Sequence, residues 1–460
     1  MNKYFHVKYI IIAYTMRQDR CIIIDMKNGV VRGIRKVLPK SAVRGLETKY
    51  RKSRVKLVSA KYGHPARSLK VLAITGTNGK TTTACYLNEI LKQAGKKTAL
   101  FSTAVIELDG ERKLNDKNAT VPLTAEMQQF FKDAKDAEVD YVILEATSHA
   151  LDQYKLEGVP IEAAVMTNLT QDHLDYHHTM KEYAAAKAKL FATSPRIVVL
   201  NHDDEWFEYF DELGAPGEKM TYGTNKDAEA RITDVKLYKK GSEVKLEIDH
   251  QNKIELATSL PGKFNVYNLT AAATLAYLLQ IKLVDIREGV ANLEEIPGRF
   301  EIIENKEPYE VVVDYAHTPD ALKQLLQAVR QFTKNRVILV FGATGDRDKL
   351  KRPIMGEVAV KNADRIIVTD EESYNEDPVK IRKMVLDGIF DAGGEAKSEE
   401  IAERRDAIAK ALSIAKKGDT VVITGMGHEV FRIVKNEKIP WNDGDVVREI
   451  LAVENPVKNL

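Results

Sequence analysis

A strand, a turn with two glycines and a helix follow one another without a break in VLAITGTNGKTTTACYLNEILKQAG, residues 71–95. Five residues of apolar run lead into GTNGKT, and an amphipathic stretch leads out. A lysine and three consecutive threonines at such a junction call for an anion. Glycines let backbone N–H groups turn inward around phosphate oxygens, and the helix N-terminus adds partial positive charge. The spacing therefore predicts a nucleotide-phosphate loop made of Gly76, Thr77, Asn78, Gly79, Lys80, Thr81 and Thr82. Lys80 is expected to meet the β- and γ-phosphates, and the Thr81 hydroxyl to ligate Mg2+. The common GxxxxGK[ST] form is not met, because Ile74 stands five positions before Gly79. The flanking strand and helix carry the assignment instead; the plainer alternative is a glycine turn that caps a helix.

The rest of the chain sets the frame. A length of 460 residues favours two or three domains. Past residue 70, short apolar runs (YVILEA, AAVMTNL, RIVVLN) alternate with helical stretches, the pattern of a mostly parallel α/β sheet covered on both faces. Residues 215–262 alternate polar and apolar, with turn signals at KKGS and HQNK, which predicts a small antiparallel insertion. A joint follows at Pro297–Gly298, and then a second α/β series whose strands end in polar or glycine-containing loops. The expected fold is a central P-loop-type domain over residues 67–297 with that insertion, and a C-terminal Rossmann-like α/β domain over 298–460. In open α/β sheets ligands sit at the carboxyl ends of strands, so those loops are expected to form one rim.

Charge is distributed unevenly. Residues 1–70 hold 18 Lys and Arg against 3 Asp and Glu, leaving 51 against 64 for the remainder. A basic segment over residues 1–66 thus precedes an acidic body. It is expected either to pack as a solvated helix on that body or to rest on an anionic surface, including peripheral contact with a membrane. No basic motif interleaved with aromatics argues for nucleic acid. Cys21 and Cys85 form no disulfide framework or metal cluster. No apolar run approaches the ~20 residues of a membrane span. A cytoplasmic monomer is the expectation.

Divalent metal needs hard oxygen ligands. Glu145 ends the apolar strand YVILE, where a nucleotide-bound metal would lie. DHLDYHH offers His173, Asp175, His177 and His178; alone, it reads equally as a zinc cluster or as surface and capping histidines. Nothing in spacing or composition singles out Lys187 on its alanine-rich helix.

The motifs ITGTNGKTTT, EATSHALDQYKLEGV, TNLTQDHLDYHHTMKEYAAAKAKLF, LPGKFNVYN, IPGRFE, VVDYAHTPDAL, FGATGDRDKLKRPIMG and GMGHE occur in the order found in the Mur ligases. The resemblance runs from about residue 70 to 450 and is nearest to the MurE branch, the UDP-N-acetylmuramoyl-dipeptide ligases. It implies an ATP-dependent, ADP-forming ligase that makes an amide through an acyl phosphate. By this resemblance Lys80 and Thr81 are the phosphate clamp and first metal ligand. Glu145 and His173 complete two Mg2+ sites, with Lys187 as a carbamylated lysine. Lys80, His173 and Lys187 are then the catalytic group. Asn268 resembles an adenine contact, Asp314 a ribose contact with His317 beside the base, and Arg299 a hinge residue reaching phosphate. Thr120, Ser148, His149 and Lys155 would face the acyl substrate, and Arg347 and Glu429 the incoming amino acid.

Three departures alter what the resemblance implies. Fewer than 70 residues precede the loop, where MurE enzymes carry a domain that grips the UDP portion; the acyl substrate is then a nucleotide-sugar peptide held differently or another carboxylate. The loop matching the amino-acid-selecting motif reads Glu371, Glu372, Ser373, Tyr374, with Tyr374 in place of an arginine. Two carboxylates there predict a cationic side chain, lysine or ornithine rather than diaminopimelate. Lys155 stands where an arginine is usual, and is a poorer bidentate partner for carboxylate or phosphate. Rival readings are a ligase like the folylpolyglutamate or cyanophycin synthetases, and a nucleotide-binding regulatory protein without chemistry.

Overall fold

The computed structural model describes residues 40–115, 124–214, 217–435 and 437–454. The chain separates into two compact units, Met1–Ser53 and Arg54–Leu460. The described part of the basic segment is helical, within Lys40–Lys61. Everything below concerns the second unit.

Its larger sheet has eleven strands among the described residues. β1 (Val71–Thr75), β5 (Tyr141–Glu145), β6 (Ile161–Met166) and β7 (Ile197–Asn201) form its centre, together with β2 (Thr98–Phe101). All of their pairings are parallel, in the order β7-β6-β1-β5-β2. β3 (Val105–Leu108) and β4 (Glu111–Leu114) close one edge as an antiparallel pair. At the other edge β8 (Glu218–Gly223) leads into β9 (Ala230–Tyr238), β10 (Gly241–Ile248) and β11 (Asn252–Thr258), which pair antiparallel. This is the insertion expected from the alternating pattern of 215–262.

Burial explains why the central strands read as unbroken apolar runs. Every residue of β1 is buried, because helices cover both faces. One face packs Leu72, Ile74 and Ile143 against Leu87, Ile90 and Leu91 of helix Lys80–Gln93 and Leu269 and Leu275 of helix Lys263–Leu278. The other packs Val71, Ala73 and Val142 against Phe131 of helix Thr124–Asp136 and Tyr183 and Leu190 of helix Met180–Phe191. Each such Val, Leu or Ile contributes roughly 1.5–3 kcal/mol on burial, so the ends of β1 and β5 are rigid platforms for whatever they carry.

The C-terminal sheet contains β12 (Glu301–Ile302), β13 (Glu310–Asp314), β14 (Val337–Phe341), β15 (Arg365–Val368), β16 (Ser398–Glu400) and β17 (Thr420–Thr424). Their order is β12-β13-β17-β14-β15-β16, and all pairings but the first are parallel. Separate apolar clusters fill its two faces. A hairpin of β18 (Phe431–Val434) and β19 (Glu437–Pro440) follows. Among the described residues no helix is long and apolar enough to cross a membrane.

Candidate active site

The carboxyl ends of β1, β5, β13, β14 and β17 all feed one cleft of about 1050 Å3. The loop after β1 is its floor. Gly76 and Gly79 sit at φ +145° and +85°, and Gly79 precedes the first residue of helix Lys80–Gln93. A Cβ on Gly79 would lie 2.1 Å from Asn268 Oδ1, so only glycine leaves the loop its course. Backbone groups and side chains of Asn168 and Thr170 tie the loop from behind, with Thr77 N donating to Asn168 O at 2.8 Å and Asn78 N to Asn168 Oδ1 at 2.9 Å.

Two lysines meet under this loop. Lys80 Nζ donates to the carbonyls of Gly76 and Thr77, at 3.1 and 2.8 Å. Lys187 Nζ, from helix Met180–Phe191, donates to the same Gly76 carbonyl at 2.7 Å and lies 4.6 Å from the centre of the Tyr183 ring. Burial, and then the Lys80 charge, push the Lys187 amine well below its ordinary range. Burial also lowers Lys80, against the pull of Glu145 and Asp172. Glu145 ends β5 with both oxygens occupied, by Thr103 N at 2.9 Å and Thr103 Oγ1 at 2.8 Å. Thr81 Oγ1 accepts from Arg299 Nη2 at 3.2 Å, so the hinge arginine does reach the phosphate loop. Its Nε is buried with no hydrogen-bond partner among the described residues.

These groups fit ATP and Mg2+. The glycine cradle would be filled by a Cβ, Arg299 presents an orphaned buried donor, and Thr81, Glu145 and His173 offer a donor set weighted to oxygen. Among the described residues no three His, Cys, Asp or Glu side chains are grouped to hold a metal by themselves, so the zinc reading of DHLDYHH finds no support. Its histidines instead pack ring on ring: His149 to His173 at 4.7 Å, His149 to His177 at 5.5 Å, His177 on Tyr183 at 5.2 Å. Asp175 and His178 are exposed. Burial, reinforced by the Arg347 charge, pushes His149 down to about 4; burial also holds His173 well below its ordinary range.

The cleft also carries acidic residues. Glu372 and Glu429 line the cleft with Arg347, Tyr315 and Tyr374. Burial, and then Glu372, push Glu429 up to about 7, and burial raises Glu372. Tyr315 OH donates to Glu429 at 3.4 Å, and Tyr374 OH to Glu372 at 3.2 Å. The Arg347 guanidinium lies over the Tyr374 ring at 5.2 Å.

Several expected residues stand elsewhere. Ser148 does not line the cleft; it is buried in the first turn of helix Ser148–Asp152 with its Oγ 2.9 Å from His177 Nε2, while His149, one position on, faces the cleft. Glu371 does not line it either. Its carboxylate accepts from Gly342 N and Thr344 Oγ1, holding two loops together from inside the C-terminal domain. Asn268 lies against Gly79 at the phosphate loop. Both oxygens of Asp314 accept backbone N–H groups, of Phe300 and Ala316, at 2.7 Å each, and burial raises its carboxyl. His317 is half-buried at the cleft and pushed down to about 4, by desolvation and then Lys351. Lys155 lines the cleft, lowered by burial and the nearby Arg54. Thr120 and Cys21 lie outside the described residues.

Two residues were missed from sequence. Asp172 and Lys351 meet at 3.0 Å in the cleft, one from each domain, both buried. Burial opposes ionisation of Asp172, but His173, Lys351 and His317 facing it outweigh that and hold its carboxyl well below the usual range.

The Mur ligase middle domain profile matches residues 74–276, and the Mur ligase, glutamate ligase domain profile matches 298–427. The UDP-N-acetylmuramoyl-L-alanyl-D-glutamate–2,6-diaminopimelate ligase of Clostridium botulinum is 39% identical over 404 residues, 87% of this chain and 82% of that protein. The Aquifex aeolicus protein of the same name is 40% identical over 394 residues, 85% of this chain and 79% of that one. A solved structure of a ligase with that name superposes with a TM-score of 0.60 at 32% identity, covering 89% of this chain and 83% of its own. Folylpolyglutamate synthase of Mycobacterium tuberculosis shares the fold, with a TM-score of 0.68 at 19% identity, covering 81% of this chain and 92% of its own.

Proposed function

The chain belongs to the Mur ligase family, whose members are ATP-dependent, ADP-forming amide ligases that use Mg2+, and from that premise we propose that it joins a diamino acid to the terminal carboxylate of a UDP-N-acetylmuramoyl-dipeptide in the cytoplasm. One observation carries this reading. The phosphate loop with Lys80 and the carboxylates Glu372 and Glu429 line a single cleft, so an acid activated at the first can meet an amine held at the second.

The acyl carboxylate attacks the γ-phosphorus of ATP; an acyl phosphate forms and ADP leaves. The amine then attacks the acyl carbonyl, and phosphate leaves as the amide forms. Lys80 and Arg299 offset the charge of the crowded phosphates. Thr81, Glu145 and His173 would hold Mg2+, which would supply further charge neutralisation and help align the displacement. Lys187 is the carbamylated lysine of this reading: burial lowers its amine and so favours the free base that reacts with CO2, and a carbamate would put an anionic oxygen ligand beside the metals. Glu372 and Glu429 orient the incoming amino acid, whose attacking nitrogen must be the free base.

The relatives are named for diaminopimelate, and Arg347, over the Tyr374 ring in the cleft, is a cation available to a distal carboxylate. That removes the reason for preferring lysine or ornithine, so diaminopimelate is the first substrate to test. ADP release with UDP-N-acetylmuramoyl-dipeptide should require a diamino acid and bicarbonate. Equal turnover with alanine or glutamate, or ADP release without any amine, would overturn the assignment.

A further inference from the structure

We propose that Lys351 is a positioning residue that couples closure of the C-terminal domain to the setting of His173, acting through Asp172. The proposal rests on the reading that His173 is a metal ligand beside bound ATP. Lys351 opens helix Lys351–Asn362 of the C-terminal domain, yet its buried amine is paired with a carboxylate of the central domain, Asp172, at 3.0 Å. A buried cation needs such a partner, so the pair forms only with the two domains together.

Asp172 passes this on. The oxygen that takes Lys351, Oδ1, also accepts the backbone N–H of His173 at 2.9 Å. His173 needs that restraint: it sits at φ +57°, ψ +25°, a left-handed conformation unfavourable for a residue with a side chain. The second oxygen faces His173 Nε2 at 3.4 Å and His317 Nε2 at 3.8 Å. One carboxylate therefore holds the backbone of His173 and lies beside its ring, and is itself held by a lysine from the other domain. Lys349, two residues earlier, pairs at the surface with Glu376 and has no such role.

The test uses the full chain and four variants: Lys351→Met, Lys351→Gln, Asp172→Asn and Asp172→Asn/Lys351→Met, each checked for folding by circular dichroism. Mn2+ titration followed by electron paramagnetic resonance, with a non-hydrolysable ATP analogue present, should show about tenfold weaker occupancy in each single variant. In steady state kcat should fall about tenfold or more while KM for ATP stays within about threefold. The double variant should be no worse than the worse single one, since both remove the same link. Unchanged Mn2+ occupancy in the single variants that fold, or losses that multiply in the double variant, would overturn the proposal. The Mn2+ titration needs neither acyl substrate nor amine, so it stands even where the proposed ligation reaction fails.

Discussion

Replacing Glu429 with glutamine should stabilise the protein at pH 8 and cripple its use of the amino acid. Glu429 is 5% exposed, and burial together with Glu372 lifts its carboxyl from 4.5 to about 7. A carboxyl that holds its proton more tightly when folded loses stability as pH rises between the unfolded and folded values. The window is therefore about 4.5 to 7: below it the folded state has the benefit of the proton, and above it the folded state carries an ionised group it disfavours. At 1.36 kcal/mol per pH unit the difference comes to about 3 kcal/mol. Glutamine keeps the oxygen that accepts from Tyr315 but never ionises. The stability of Glu429→Gln relative to the parent should thus climb by about 3 kcal/mol from pH 4.5 to pH 8, measured by urea unfolding at each pH. The same change should raise KM for the amino acid roughly 30-fold or more, the effect of removing one partner from a buried charge pair. A parent and variant with parallel stability profiles would refute the buried-carboxylate argument, and an unchanged KM would take Glu429 out of the amine site.

Gly79→Ala should weaken ATP binding roughly tenfold or more by calorimetry, since left-handed strain of about 1–3 kcal/mol is joined by a Cβ 2.1 Å from Asn268 Oδ1. Gly95→Ala, at φ +73° but with nothing within 4 Å of its Cβ, should leave binding unchanged. Arg404→Met breaks a fully buried pair with Asp443 at 2.7 Å and should cost about 3–5 kcal/mol, followed through Trp441, whose Nε1 donates to Asp443. Lys187→Ala should lower kcat about 100-fold with circular dichroism unchanged, and the bicarbonate dependence of the parent should vanish in it.

What could be read from the sequence was local. The phosphate loop is legible because its chemistry lies in seven consecutive residues, Gly76 to Thr82, between a strand and a helix that announce themselves by apolar pattern. The insertion was legible because period-2 alternation over 215–262 can satisfy only a half-covered strand. Side-chain direction was not. Glu371 and Glu372 are chemically the same residue in adjacent positions, but one ties Gly342 and Thr344 together inside the domain while the other faces the cleft. Ser148 and His149 divide in the same way, about 100° apart around the first turn of a helix.

The Asp172–Lys351 pair was illegible for a further reason: its members are 179 residues apart, in different domains. Lys349 and Lys351 in GDRDKLKRP carry the same charge, and only the fold leaves one exposed beside Glu376 and buries the other in the cleft. The same separation is what gives these residues their use. A phosphate clamp built from one loop is complete whether the domains are apart or together. Contacts such as Arg299 to Thr81, Asn78 to Asp320 and Lys351 to Asp172 exist only when the domains meet. An acyl phosphate must be kept from water until the amine arrives, and chemistry that requires groups from both domains cannot begin in an open cleft. Asp172 and Lys351, which sequence did not single out, thus join Arg299 and Asn78 in contacts that need both domains.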